Sequence, residues 1–174
     1  MGCKMAKENL KRANVNGTIL CEDIFKTSLK KESFDVVYSF GLIEHFENPE
    51  SIIKKHIELL KNGGHIILSI PNFNKDSLYF TLNKLFGKEK GLMKTHNLDI
   101  MDINNFKKLF EGKNVQVQFL DYFGPINLTL ALDPRNKIML IFMHVLNQIL
   151  GYLTFSLRSK YFSPDLVIIG KKIK

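Results

Sequence analysis

Apolar and polar positions change rhythm several times along the chain, and each change marks an element. In KMAKENLKRA, Met5, Ala6, Leu10 and Ala13 recur at helical spacing, and Asn16–Gly17 supplies a stop. GTILCED is a short apolar run closed by two acids, which predicts a strand. After the polar KTSLKKES, the run FDVVYSF predicts a second strand, rich in β-branched residues. Pro49 to Lys61 reads as a helix. Pro49 suits its first turn, Glu50 its positive end, and Ile52, Ile53, Ile57 and Leu60 share one face. KNGG closes that helix, and HIILSIPN predicts a third strand stopped by Pro71. Strands that are apolar almost throughout, with a helix between them, indicate a parallel sheet covered on both sides.

Beyond Asn72 the spacing predicts helices over Ser77–Phe86 and Ile103–Phe110, with a polar link reaching His96 between them. VQVQFLDYF alternates as a half-exposed strand does, and PDLVIIGKK is the last strand. Between those two strands lies an insertion, Gly124–Ser163. Its segment Ile138–Leu157 has 20 residues and no formal charge. His144, Asn147, Gln148, Gly151 and Thr154 fall on one face of it, apolar residues fill the other, and Arg135, Lys137, Arg158 and Lys160 flank it. Three readings fit this pattern: a lid over a substrate site, a helix lying on an anionic membrane surface, or a membrane span. No repeat, low-complexity tract or linker divides the chain, so residues 1–174 are expected to form one domain, with 124–163 as a helical insertion.

A chain of 174 residues, 45% hydrophobic and 24% charged, has the length and balance of one globular domain with its own core. The net charge of +8 comes mainly from lysines scattered along the sequence. A nucleic-acid binder would gather them in a stripe with aromatics between, so no nucleic-acid partner is expected. Cys3 and Cys21 have no CxxC spacing and no nearby His pair, so neither a zinc site nor a disulfide framework is suggested, and they fit a reducing, cytoplasmic setting. The opening MGCKMA has Ala6 where a myristoylation signal needs Ser or Thr, and the charged periodic stretch after Met1 is not a signal peptide.

Open α/β sheets bind ligands beyond the carboxyl ends of their strands. Asp23, Ser39 with Gly41, and Asn72 each follow a predicted strand, so these polar residues are expected along a single rim. A carboxylate there accepts hydrogen bonds from an amine or hydroxyl, and Gly41 allows a ligand close to the backbone.

ILCEDIF, FDVVYSFGLIEHFENPES and LLKNGGHIILSIPN, in this order and spacing, resemble the later motifs of class I S-adenosylmethionine-dependent methyltransferases, most of all the ubiquinone/menaquinone-type small-molecule branch. The likeness is strong over Lys7–Asn72 and elsewhere lies in the order of elements. It implies a Rossmann-like α/β sheet, mostly parallel with a final antiparallel strand, and methyl transfer from S-adenosylmethionine to a small, apolar or lipid-like acceptor. Asp23 resembles the acid that binds the adenine amino group, with Ile24 beside it. Ser39 resembles the strand-exit residue near the cofactor's methionine part, with Phe40 and Gly41 adjacent. For Asp23 a turn-capping role stands beside the binding role, and for Ser39 a plain turn role does. Glu44 and His45 match an EH pair frequent in this branch. Some members bind a divalent metal through E-x-x-E-H. Here Gly41 stands where the first Glu would be, and two ligands hold a metal poorly, so no metal site is expected. His45 and His96 remain as candidate bases, beside the alternative that each is a packed, hydrogen-bonded histidine.

The family's opening strand, its D-x-G-x-G-x-G loop and its ribose-binding acid have no counterpart in this sequence. Met1–Asn14 aligns with the helix after the second strand, which makes the chain read as an N-terminally truncated piece. On that reading TILCED and DVVYSF, normally separated by two strands, must pair directly, leave one strand detached or expose unpaired backbone. Three rival functions stand beside methyl transfer. One is a non-catalytic remnant or partner subunit. A second is a nicotinamide-dependent dehydrogenase, which would need a G-x-G that is absent here. The third is a membrane-bound interaction module working through Ile138–Leu157.

Overall fold

The computed structural model describes residues 2–86, 95–130 and 137–174. Four strands form one sheet: β1 (Phe34–Phe40), β2 (Leu60–Pro71), β3 (Val115–Phe123) and β4 (Asp165–Lys172), in the spatial order β1-β2-β4-β3. β1 and β2 are parallel, and β4 runs antiparallel to both β2 and β3. Three strands therefore share a direction and the last one opposes them, as the resemblance implied. The described α-helices are α1 (Gly2–Arg12), α2 (Pro49–Leu59), α3 (Leu78–Phe86), α4 (Ile103–Lys108) and α5 (Lys137–Thr154).

The β1–α2–β2 unit is built as its sequence dictates. Asn48 caps α2 by accepting from the Ser51 N–H (3.2 Å), and Pro49 opens the first turn. Ile52, Ile53, His56 and Leu59 form its buried face. The helix ends at Leu59, and the chain turns straight into β2 through Lys61–Gly64. A side chain at Gly64 would meet the Asp35 and Lys61 carbonyls at 3.0 Å, so this close backbone approach needs glycine. Lys172, on β4, reaches the end of α2: its Nζ donates to the carbonyls of Leu60 (2.8 Å) and Ile57 (3.1 Å) and to Glu32 Oε1 (3.1 Å). A cation there satisfies carbonyls left open at the helix's negative end.

The core lies on one face of the sheet. Ile66, Leu68 and Ile70 of β2 and Leu166 and Ile168 of β4 pack in one cluster with Ile43, Ile52, Ile53, Met101 and Phe106. On the opposite face no described helix packs as α2 does, and Val36, Tyr38 and Phe40 are exposed. Ile67, Phe119, Val167 and Ile169 line an apolar hollow of about 460 Å³ there, with Phe40, Ser69, Phe123 and Asp165 at its borders.

Two expectations are corrected. GTILCED is not a strand: residues 15–22 carry no ladder, and Leu20 is exposed. A strand exists only where a neighbour pairs with it, and no described strand lies beside this run. Of the outcomes considered, detachment is the one observed. The predicted helix over Ile103–Phe110 is shorter, ending at Lys108, with Asp102 capping it through the N–H groups of Asn104 (2.9 Å) and Asn105 (3.3 Å). The polar link before His96 lies mostly outside the described residues, as does Arg135.

Within the insertion, α5 is oriented by its polar stripe. Asn147 Oδ1 accepts from the Leu128 N–H (2.9 Å), and Thr154 Oγ1 accepts from the Ile126 N–H (3.0 Å). Ile141, Phe142, Val145, Ile149, Tyr152, Leu153 and Phe155 face outward and are exposed. Among the described residues, no helix is long and apolar enough to cross a membrane.

Candidate active site at the strand exits

β1 leaves the sheet at Gly41, whose N–H still donates to the Ser69 carbonyl (2.9 Å) and whose φ of +60° is a left-handed conformation that suits glycine. A short 3₁₀ turn, Ile43–His45, follows. Ile43 is fully buried and fixes the turn to the core. That anchor sets Glu44 inward, at 1% exposure, while His45 points to solvent.

The segment carrying His96 docks on this turn. The Asn97 N–H donates to the Glu44 carbonyl at 2.7 Å. The rings of His45 and His96 then lie 4.5 Å apart between centroids, and Phe73 packs edge-on to His96 at 6.4 Å. His96 Nδ1 also meets the Thr95 hydroxyl at 3.2 Å. His45 Nε2 sits 3.9 Å from Glu44 Oε1, too long for a hydrogen bond. Glu44 Oε2 is buried with no hydrogen-bond partner. Burial raises the Glu44 pKa, partly offset by its own backbone N–H and then by the two imidazoles, and Asp165 adds a smaller push in the same upward direction. Asp165 itself is raised by burial, against the Ser69 hydroxyl that donates to it at 3.3 Å.

The structure thus joins His45 and His96, which the sequence offered as separate candidates, and adds Glu44 to them. The other candidates are distributed differently. Ser39 and Phe40 point to opposite faces. Ser39 pairs with Leu68 on the core side, with its hydroxyl buried and unpartnered, whereas Phe40 stands exposed against Tyr38 at 5.3 Å. Asp23 caps a 3₁₀ turn, Ile24–Lys26, by accepting from the Phe25 N–H (2.9 Å). Ile24 packs against the core, and Phe25 meets Phe46 edge-on at 5.8 Å, so this turn lies beside the exit of β1. Asn72 serves the fold: buried, it donates to the carbonyls of Lys160 (2.9 Å) and Ser163 (2.8 Å). Tyr79, whose hydroxyl burial pushes up to about 12, links Phe162 (2.7 Å) and Asn127 (3.1 Å) and so ties the insertion to the rim.

A larger hollow runs along the outer side of α2, lined by Glu32, Glu50, Lys54, Lys113 and Lys172. Its charges are largely paired with each other, Lys113 with Glu50 (2.9 Å) and Lys172 with Glu32 (3.1 Å), which marks a solvated seam.

The mixed Rossmann-like sheet is the fold of the solved S-adenosylmethionine-dependent methyltransferases with which it aligns, and the resemblance read from the sequence finds its match in the first part of the chain. Residues 2–68 match the family model described as a methyltransferase domain. A ubiquinone biosynthesis O-methyltransferase from Coxiella burnetii is 28% identical over 78 residues, which are 45% of this chain and 33% of that protein. The chain therefore spans about a third of the length of the curated relatives it matches. Among solved structures, a SAM-dependent methyltransferase from Thermotoga maritima aligns with a TM-score of 0.58 at 18% identity, covering 95% of this chain and 68% of that one. The plantazolicin methyltransferase BpumL, solved with S-adenosylhomocysteine, aligns at 0.55 and 17% identity, covering 94% and 62%.

Proposed function

We propose that the chain takes part in S-adenosylmethionine-dependent methyl transfer to a small, apolar or lipid-like acceptor, with the chemistry at the exits of β1 and β2. The observation that carries this reading is the convergence of Gly41, Glu44, His45 and His96 on that rim, in a chain whose residues 2–68 match a methyltransferase-domain model. Asp23 and Ile24 are assigned to the adenine, and Ser39, Phe40 and Gly41 to the methionine part. When bound, the cofactor supplies a methyl group already activated by its sulfonium charge. The protein's task is then to align the acceptor and exclude water. His45 and His96 are assigned to take the acceptor's proton.

The acceptor class is argued from α5. Its outward apolar face, with Lys137 at its start and Arg158 and Lys160 just beyond its end, fits an anionic bilayer surface from which a lipid-like molecule could reach the rim. Sedimentation with anionic vesicles, reduced by replacing Phe142 and Phe155 with Ser, is the expected outcome; no preference over neutral vesicles contradicts this part.

Calorimetric titration with S-adenosylhomocysteine tests the main reading. The expected result is one saturable site, weakened at least tenfold by Asp23→Ala. Absence of binding favours the alternative, a non-catalytic methyltransferase remnant or partner subunit.

A further inference from the structure

We propose that Glu44, His45 and His96 form a binding site for one divalent first-row transition cation. One ligand atom from each residue lies within 4.8 Å of the others. Ligands about 2.0–2.2 Å from a shared ion stand about 3–4 Å apart, so closing this triangle takes a movement of about 1 Å or less per side chain. His45 is half exposed and can make it.

The alternative is that the cluster is ordinary packing, and the geometry argues against it. Buried polar atoms in folded proteins normally have partners. Here Glu44 Oε2 has none, and its sister oxygen stands 3.9 Å from His45 Nε2. The two ligand-bearing segments are nonetheless held together by the Asn97-to-Glu44 backbone bond and by buried Ile43. The sequence spacing gave two ligands and therefore no site; the fold supplies the third from far along the chain.

Two imidazoles and one carboxylate favour Mn²⁺, Fe²⁺, Co²⁺ or Zn²⁺ over Mg²⁺ and Ca²⁺, which prefer all-oxygen sets. Three protein ligands leave positions open, as catalytic rather than structural sites do. Gly41 keeps one side clear: a Cβ there would meet nothing nearer than Glu44 Oε1, at 3.5 Å. An ion so placed would act as a Lewis acid toward an acceptor oxygen, and because it would take the lone pairs of His45 and His96 it would replace their proton-accepting role. The Lewis-acid role rests on the methyl-transfer reading; the binding does not.

The test is titration of the metal-free full chain with Mn²⁺ followed by electron paramagnetic resonance, and with Co²⁺ followed by absorption. One equivalent should bind. His45→Ala and His96→Ala should each weaken it tenfold or more, and His144→Ala should leave it unchanged. Glu44→Gln should weaken it likewise, and because Glu44 is buried the two histidine variants keep the test valid if that protein fails to fold. Co²⁺ should show no thiolate charge-transfer band, which separates this site from Cys3 and Cys21. Absence of stoichiometric binding, binding by either histidine variant as tight as the parent's, or a thiolate band lost in Cys21→Ser would each overturn the proposal. A chain that binds Mn²⁺ in this way but not S-adenosylhomocysteine keeps the site and loses the methyl-transfer reading; the converse result does the opposite.

Discussion

The two faces of the sheet are made by the same strands, yet only one of them is a protein interior. On the α2 side, Ile66, Leu68, Ile70, Leu166 and Ile168 are each fully buried. On the other side, Val36 is 47% exposed and Tyr38 and Phe40 are 65% exposed, beside the hollow lined by Ile67, Val167 and Ile169. Apolar composition is nearly equal on the two sides, so composition does not decide burial. What decides it is whether an element with a matching apolar stripe returns over the face, as α2 does through its cap at Asn48 and its stop at Leu59.

The largest expected effect lies in the covered face. Leu68→Ala should cost about 2–5 kcal/mol in urea unfolding, since a fully buried leucine loses both transfer energy and packing. Its neighbour on the bare face, Ile67→Ala, should cost clearly less, and equal costs would break the comparison. Next comes Lys172→Ala, which strips the α2 carbonyls and Glu32 of their donor and should cost about 1–3 kcal/mol.

A pH effect follows from His56. It is buried in α2, its Nδ1 bonded to the Ile52 carbonyl at 2.7 Å, and burial lowers its pKa. The unfolded chain therefore binds the proton more readily, so stability from this group is present above its unfolded pKa of about 6.5 and is lost as pH falls below it. The urea midpoint should drop between pH 7 and pH 5, and less so in His56→Leu. Asp165 works in the other direction. Its raised pKa means that stability falls as pH rises from its unfolded value through its folded one, so Asp165→Asn should raise the midpoint at pH 7 more than at pH 4. Smallest of all, Tyr38→Ser on the bare face should stay within about 0.5 kcal/mol of the parent.

Much of the covered face was legible in the sequence. β1, β2, β4 and α2 follow from apolar runs, a proline at the first turn and the Gly63–Gly64 pair, all local signals. TILC carries the same strand-like composition and is not a strand, because a ladder depends on a neighbour that local sequence cannot report. The rim shows the same divide. Ser39 and Gly41 were readable at a strand exit and Glu44 in the EH pair, but the meeting of His96 with Glu44 depends on the Asn97 backbone bond and on the packing of Ile43. The orientation of α5 was equally hidden. Its polar stripe looks like a solvent face, yet Asn147 and Thr154 turn inward to satisfy the N–H groups of Leu128 and Ile126. These two residues cap a loop, Met143 is buried beside them, and His144 and Gln148 stay exposed along with much of the apolar surface.

A crystal structure grown with S-adenosylhomocysteine and Mn²⁺ tests the central claim, that the exits of β1 and β2 form the reaction rim. The account predicts the homocysteine part against Gly41, the adenine beside Asp23 and Ile24, and the ion between Glu44, His45 and His96. A nucleoside seated on the bare face or along the outer side of α2, with the three ligands unchanged, would contradict it.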